Sequence, residues 1–328
     1  MPLDQFDREI DYLRISVMDR CNLRCTYCMP LEGLRFLPPD ELLTAEEISK
    51  IASAAIDVGF RKFRITGGEP TLRRDLVEII AGIRSVAPDA DLSMTTNGVL
   101  LPRLAADLAS VGLDRVNIHL DSLDEKRVRQ VMRRGELERF KAGIVAAEDA
   151  GLTPIKINTV VVAGVNDEDV VELARCTLDR PWHVRFIELM PMGEGESLDV
   201  ASDALVESSD VKEMIEMALG PLEEVARTHL ADECLNYRLA DGRGIVGFIS
   251  PVSNPFCASC NRMRLSADGR LLLCLLRDEE KDLRQILRRG GDLQELRSAL
   301  LAAVEAKPVG HQLAMGLGPR RRMHQVGG

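Results

Sequence analysis

Hydrophobic and polar residues follow two different patterns along the first two thirds of the chain. Short runs rich in Val, Ile and other strand-forming residues alternate with longer stretches in which apolar residues recur every three or four positions. The first pattern predicts six strands, at residues 13–18, 62–66, 91–96, 115–120, 154–162 and 183–190. The second predicts the main intervening helices, at residues 44–58, 75–86, 101–111, 136–150 and 167–176. Six such β-α units indicate a parallel sheet with right-handed crossovers.

Several of the predicted strands carry polar residues at every second position. These residues are Arg14, Ser16, Lys62, Arg64, Thr66, Ser93, Thr95, Asn117, His119, Asp121, Lys156 and Asn158. Because side chains alternate between the two faces of a strand, one face of the sheet is polar. A filled eight-stranded barrel would instead have a core of Val, Ile and Leu. We therefore predict an α/β fold, an incomplete (β/α)6 TIM-type barrel whose interior is polar and binds ligands.

The pattern changes after Met192. Residues 193–210 are acidic and contain Gly and Ser, and we interpret them as a linker with a short helix. Short strands and turns follow. Asp268-Gly269 between two apolar runs is typical of a two-residue β-hairpin turn.

Two further helices are predicted near the end of the chain, at about residues 281–289 and 292–305, before a tail rich in Gly and Arg. This arrangement predicts two domains. Residues 1–215 would form the barrel, and residues 216–328 a smaller α+β C-terminal domain.

Composition and charge narrow the function classes. The 328 residues include 45% hydrophobic and 29% charged residues, which is typical of a globular protein with one large or two ordinary domains. The net charge of −10 disfavours nucleic-acid binding through a broad basic surface. No signal peptide or membrane-spanning run is recognisable. Eight cysteines in such a chain suggest a cytoplasmic protein that uses thiols for metal binding or catalysis.

Three cysteines, Cys21, Cys25 and Cys28, form a C-x3-C-x2-C run directly after the first strand. Structural zinc and a fully ligated four-iron cluster both need four ligands, so three thiolates leave one position open. An open position is typical of catalytic metal sites. On these residues alone, core cysteines and a zinc site remain alternatives to a cluster.

A second triplet, Cys257, Cys260 and Cys274, has the spacing C-x2-C-x13-C. The predicted hairpin would bring its third member back beside the first two. A structural zinc site with a fourth, unrecognised ligand remains an alternative. Cys176 and Cys234 have no comparable partners, and we interpret them as packing residues.

Arg262 and Arg264 lie just after Cys260, between the second and third cysteines of this triplet, and share one face of a predicted strand. Two such arginines are often only a solvated face. Beside a metal site, however, guanidinium groups suit phosphate.

The motifs together carry a family resemblance. The first triplet, with Tyr27 before its last cysteine, resembles the radical S-adenosylmethionine (SAM) enzymes, and Gly67-Gly68-Glu69 resembles their G-G-E motif. The string D-R-C-N-x-R-C-x-Y-C-M-P, the spacing of the second triplet and the R-x-R after its second cysteine resemble one family in particular. This family is the GTP 3′,8-cyclases, which catalyse the first step of molybdenum cofactor biosynthesis.

The resemblance implies two [4Fe-4S] clusters, one on each cysteine triplet, and a set of contacts. It places SAM against Tyr27, Gly68, His119 and Met190, although the family more often has serine at the position of His119. It places GTP against Arg14, Arg64, Thr95, Lys156, Arg262, Met263 and Arg264. It implies catalytic roles for Arg14, Arg262, Arg264 and the terminal Gly327 and Gly328, since family members end in a similar Gly-Gly that reaches toward the active site.

The reaction implied is a radical cyclisation. A 5′-deoxyadenosyl radical from SAM would take the 3′ hydrogen of GTP, and C3′ would then join C8 of guanine to give (8S)-3′,8-cyclo-7,8-dihydroguanosine 5′-triphosphate. An electron donor of flavodoxin or ferredoxin type and a homodimer would be expected. The alternatives are another radical SAM enzyme with an auxiliary cluster, from a peptide or heme pathway, and a non-catalytic zinc-binding module.

Overall fold

The computed structural model describes residues 1–192, 203–227 and 231–327. In these residues twelve strands form one sheet. The strands are β1 (Tyr12–Ser16), β2 (Lys62–Thr66), β3 (Asp91–Thr96), β4 (Arg115–His119), β5 (Lys156–Val161), β6 (His183–Glu188), β7 (Leu222–Val225), β8 (Leu235–Leu239), β9 (Ile245–Ile249), β10 (Arg262–Leu265), β11 (Arg270–Leu272) and β12 (Glu280–Asp282).

The helices cover one face of this sheet and its ends. They are α1 (Ala45–Val58), α2 (Leu76–Val86), α3 (Leu101–Ser110), α4 (Glu125–Met132), α5 (Leu137–Asp149), α6 (Val170–Asp179), α7 (Ser208–Leu219), α8 (Leu283–Arg288), α9 (Leu293–Glu305) and α10 (Met323–Val326). The start of α1 is fixed by a capping box between Thr44 and Glu47, and its end by Gly59 in the left-handed region. None of the helices in the described ranges is long and apolar enough to cross a membrane.

Strands β1 to β6 lie side by side in chain order, and every pair is parallel. This confirms the predicted succession of β-α units and the incomplete barrel. The later strands extend both edges of the same sheet. Strand β9 pairs in parallel with β6, and β10 pairs in parallel with β1. The predicted C-terminal half therefore builds onto the barrel sheet, and the boundary at residues 215/216 stays a prediction.

The two faces of the sheet differ in chemistry, as the alternation of the sequence indicated. On β1, Leu13 and Ile15 are fully buried and belong to the hydrophobic core that packs against the helices. Arg14, between them, lies on the other face. The register aligns Arg14 with Arg64 on β2 and with Arg264 on β10. The interior of the partial barrel is therefore lined by polar side chains.

Two helices connect β4 to β5, and only the second was predicted. The missed helix, α4, has the sequence EKRVRQVM, in which charged residues outnumber apolar ones. Its apolar stripe consists of Val128, Val131 and Met132, which is too short to stand out as a periodic run.

Two predictions in the last third of the chain were wrong in detail. The predicted helix at 281–289 begins as strand β12, and the carboxylate of Asp282 caps α8 only afterwards. The hairpin is confirmed, but its turn is longer than two residues. The N–H of Ser266 donates to Arg270 O at 2.8 Å, which leaves residues 267–269 in the turn. Most of the predicted linker, residues 193–202, lies outside the described residues.

Candidate active site

The first cysteine triplet lies in the loop that follows β1. Cys25 is buried, Cys21 and Cys28 are half-buried, and all three thiols are free. The loop is held from outside by backbone hydrogen bonds to the end of α4, for example from Thr26 N to Val131 O at 2.9 Å. The three thiols line one cavity, the first-triplet cavity, together with the end of β2 and the end of β4.

The G-G-E motif lies directly against this loop. Gly68 donates its N–H to Met18 O at 2.7 Å, and a Cβ at Gly68 would overlap the carbonyl of Arg20. Only glycine therefore allows the two segments to meet. The Glu69 carboxylate is almost fully buried and accepts four hydrogen bonds, from Thr71 N and Oγ1, from Thr96 Oγ1 and from Asn97 N. This side chain fixes the motif to the end of β3.

His119, Tyr27 and Asp121 form a hydrogen-bonded group on the opposite wall of the same cavity. The Tyr27 hydroxyl lies 2.5 Å from His119 Nε2 and 2.6 Å from Asp121 Oδ2. Asp121 has no exposed surface, and its other oxygen accepts the N–H of Val160 at 3.0 Å. Burial opposes a charge on His119, but Asp121 outweighs it and raises the pKa of His119 well above its ordinary value. Through Tyr27, this group joins the end of β4 to the cysteine loop.

The first-triplet cavity collects all the residues that were predicted to contact SAM, namely Tyr27, Gly68, His119 and Met190. Thr95, predicted to contact GTP, lines the same cavity. Burial raises the pKa of Cys21 and of Cys25 to about 11, and that of Cys28 to about 12. Thiols of this kind are ligands that give up their protons when a metal group binds.

The second triplet is assembled by the hairpin, as its spacing predicted. Cys257 opens a single helical turn, Cys260 ends it, and Cys274 follows β11, which is antiparallel to β10. The three thiols line the second-triplet cavity with Arg262, Arg264, Met190 and Lys307. Burial opposes the Cys260 thiolate, but Lys307 and Arg262 lower the pKa of this thiol nevertheless.

Both donor sets suit an iron–sulfur cluster, since each offers three free thiols in one partly enclosed cavity. In the part of the chain that the structure describes, no three His, Cys, Asp or Glu side chains come close enough together to hold a single metal ion.

A third cavity, the cationic cavity, lies beside the opposite, amino-terminal ends of the strands. Its positive residues are Lys62, Arg64, Arg115, Lys156 and Arg185. Burial lowers the pKa of Arg64 to about 10, and burial together with Arg185 lowers the pKa of Lys156 to about 7. Arg64 and Arg185 are buried, the other three are half-buried, and Arg115 is paired with Asp91. The excess of cations favours a multiply charged anion.

The side chain of Glu233 also lines the cationic cavity and lies beside two further arginines. Its carboxylate is 3.4 Å from Arg14 Nη2 and 3.4 Å from Arg262 Nη1. Although burial opposes ionisation, Arg262 and Arg14 hold the pKa of Glu233 well below its ordinary range. Glu233 joins the arginines of β1 and β10 to the cationic cavity.

Of the residues predicted to contact GTP, Arg64 and Lys156 line this cavity. Arg14 and Arg262 are linked to it through Glu233, and Arg262 also lines the second-triplet cavity. Arg264 lies two residues further along β10 and lines the second-triplet cavity. The side chain of Met263 packs in the hydrophobic core, although the residue also borders the second-triplet cavity.

The C-terminal tail reaches the same region. Arg264 donates a hydrogen bond to the carbonyl of Gly327, which has φ +80° and lies so close to Thr66 that a Cβ would overlap it. Glycine is therefore required at this position. His324 on α10 is buried and lines the first-triplet cavity. Gly328 lies outside the described residues.

Sequence reasoning missed several residues of this site. Arg185 stands at a period-two position of a predicted strand, so the alternation could have revealed it. Glu233 and Lys307 lie in irregular segments, and no local signal marks them.

Comparisons with known proteins agree with this geometry. A sequence model of the Radical SAM superfamily matches residues 15–177, and one of Molybdenum Cofactor Synthesis C matches residues 182–313. The GTP 3′,8-cyclase of Pelotomaculum thermopropionicum is 44% identical over 325 residues, with 99% of each chain covered. That of Heliobacterium modesticaldum is 46% identical over 328 residues, which cover 99% of this chain and 100% of the relative.

Solved structures show the same fold at low identity. The crystal structure of Streptococcus suis SuiB bound to S-adenosylmethionine superposes with a TM-score of 0.59 at 16% identity, covering 89% of this chain and 68% of that one. Because the two cyclases are 44% and 46% identical to it over nearly its whole length, the chain belongs to the radical SAM superfamily and, within it, to the GTP 3′,8-cyclase family.

Proposed function

We propose that this protein is a GTP 3′,8-cyclase that converts GTP to (8S)-3′,8-cyclo-7,8-dihydroguanosine 5′-triphosphate, the first step of molybdenum cofactor biosynthesis. The observation that carries the assignment of substrate is the cationic cavity. It lies on the same strands whose other ends carry the first triplet, so one barrel interior offers a site for SAM and a site for a triphosphate.

The first-triplet cavity suits a cluster and SAM. Cys21, Cys25 and Cys28 would hold the cluster, and Gly68 would leave room for backbone contact with SAM, since a side chain cannot fit there. A cluster and SAM bound there would supply the one-electron chemistry for hydrogen abstraction from C3′ of GTP. The apolar side chains of Val160 and Leu189 also line this cavity and would keep water away from the hydrogen abstraction.

The cationic cavity suits the triphosphate. Arg14, Arg64, Lys156 and Arg262 would hold its oxygens through charge-assisted hydrogen bonds. A triphosphate there would compete with the carboxylate of Glu233 for Arg14 and Arg262.

The second-triplet cavity would hold a second [4Fe-4S] cluster on Cys257, Cys260 and Cys274, close to the guanine end of GTP. Arg264 and the tail carbonyl of Gly327 would close the space between the two clusters. We further propose a cytoplasmic enzyme, a homodimer, that receives its electrons from a protein of flavodoxin or ferredoxin type.

The direct test is anaerobic incubation of the iron-loaded protein with GTP, SAM and dithionite, followed by mass spectrometry. The proposal expects 5′-deoxyadenosine and the cyclised nucleotide with GTP, and neither product in excess of background with ATP. Formation of 5′-deoxyadenosine with ATP or a peptide, but not with GTP, would refute the substrate.

The roles of the two β10 arginines are tested separately. Arg262→Ala and Arg264→Ala should weaken GTP turnover and leave SAM binding intact. Unchanged GTP kinetics in both variants would contradict the role of these arginines. A separate measurement tests the enzyme class: zinc without labile sulfide in the anaerobically purified protein would contradict a radical SAM enzyme.

A further inference from the structure

Lys307, two residues after the end of α9, is buried next to the second triplet. Only 2% of its surface is exposed. Its ammonium group donates hydrogen bonds to Arg262 O at 2.7 Å and to Leu273 O at 2.8 Å. Among the described residues, no carboxylate lies within 4.0 Å of this group, so the structure gives it no paired anion. Lysine is rarely buried in this way, because a desolvated unpaired charge costs free energy.

The two carbonyls that Lys307 binds belong to the two arms of the hairpin. Arg262 lies two residues after Cys260, and Leu273 directly precedes Cys274. One ammonium group therefore ties together the backbone next to two of the three cysteines. The side chain also lines the cavity into which the three thiols open.

The third cysteine is tied to the same segment by Arg8. Its guanidinium donates to Cys257 O at 2.8 Å, to Pro308 O at 2.7 Å and to Val309 O at 2.9 Å. Arg8 is itself paired with Asp4 at 2.5 Å. The charge of Arg8 is thus compensated within the protein, whereas that of Lys307 is left for the contents of the cavity.

We propose that Lys307 is a positioning residue of the second cluster, which holds the hairpin arms in place and offsets the negative charge of the cluster with its own buried positive charge. The inference rests on the second cluster of the proposed function. Net charge and surroundings set the reduction potential of an iron–sulfur cluster. A buried cation stabilises the reduced, more negative form, so Lys307 raises the potential of the second cluster.

The test uses the full-length protein, loaded anaerobically with iron and sulfide, and two variants. Lys307→Met removes both the charge and the hydrogen bonds, and Lys307→Gln keeps an amide donor without the charge. Lys281→Gln, at an exposed position on β12, is the matched control. Iron and labile sulfide are measured, and each cluster is followed by EPR during a redox titration with SAM present, so that the first cluster is recognised by its response to SAM.

Both Lys307 variants should shift the potential of the second cluster to more negative values by at least 59 mV, which is a tenfold change in a one-electron equilibrium. The first cluster should be unaffected, and Lys281→Gln should shift neither. Selective loss of the second cluster from a variant that keeps the first would also support the proposal.

An unchanged potential in a variant that retains the second cluster would overturn it. So would failure of both variants to fold or to load either cluster, because Lys307 would then be a general packing residue. If the unmodified protein itself binds only the first cluster, the proposed second cluster is refuted. That outcome is distinguishable from the two that refute only the role of Lys307.

Discussion

The two cysteine triplets offer the same three thiols in different electrostatic surroundings. Carboxylates lie beside the first triplet, where Glu69 and Asp121 add to the effect of burial. Cations lie beside the second, where Lys307 and Arg262 lower the pKa of Cys260 in spite of its burial. The positive sulfonium of SAM suits the end of the barrel that carries these carboxylates, whereas the negative triphosphate of GTP suits the cationic cavity at the other end of the strands.

Removing one thiol from each triplet tests most directly whether the two triplets have separate roles. Cys25→Ala should abolish the formation of 5′-deoxyadenosine, because the set of thiols that would hold the first cluster, and with it SAM, is no longer complete. Cys260→Ala should abolish the cyclised product but leave reductive cleavage of SAM measurable. Mass spectrometry of both products, with Cys176→Ala on α6 as the control, distinguishes these outcomes. Equal loss of SAM cleavage in the two variants would show that the sites do not divide the work in this way.

The sequence predicted the polar interior but not all of its contents. Arg14, Arg64 and Lys156 alternate with apolar residues inside strands, and this periodicity by itself places them on one face of the sheet. The tail contact was predicted only through the family resemblance. Nothing in the local sequence around Glu233 or Lys307 indicates burial, because each is brought to its place by the strands and helices that precede it. Their roles depend on pairings between distant segments, such as that of β1 with β10.

Arg185 provides a test of the cationic cavity as the GTP site. The residue is 8% exposed and lines the cationic cavity, and its buried Nε has no hydrogen-bond partner among the described residues. A hydrogen bond to a charged group contributes about 1.5–3 kcal/mol. We therefore expect Arg185→Met to weaken GTP binding roughly 10- to 100-fold, as measured by anaerobic calorimetry.

SAM binding to the Arg185→Met variant should be unchanged, since the first-triplet cavity lies at the other end of the strands. Arg175→Met, at an exposed position on α6, is the matched control. Weakened SAM binding of similar size would mean that the two ends of the barrel are not independent.

Glu233 is expected to change GTP affinity in the opposite direction. Its carboxylate occupies Arg14 and Arg262, so Glu233→Gln should free both for phosphate and tighten GTP binding about tenfold, or about 1.4 kcal/mol. The same change should lower the melting temperature, because buried arginines then lack their anion. Glu223→Gln, at an exposed position on β7, is the control and should change neither property. Weaker GTP binding would assign Glu233 a direct part in holding the nucleotide.

The smallest expected effect is a pH dependence that only the cationic end should show. Burial and Arg185 lower the pKa of Lys156 from 10.5 to about 7, so this lysine loses its proton in the neutral range. A bound triphosphate favours the protonated form, and the complex therefore keeps a proton that the free protein releases. Affinity for GTP should be highest below about pH 7 and fall as the pH rises, to become about fivefold weaker at pH 8 than at pH 7.

Calorimetry in two buffers of different ionisation enthalpy measures the proton uptake directly. In Lys156→Arg the charge persists throughout this range, so the uptake and the slope should both disappear, and SAM binding should show neither in any variant. The unfolded chain keeps a proton on Lys156 up to about pH 10.5, so the same shift makes the free energy of unfolding rise with pH between about 7 and 10.5. An equal slope for GTP in Lys156→Arg would assign the titration to another group, such as the nucleotide itself.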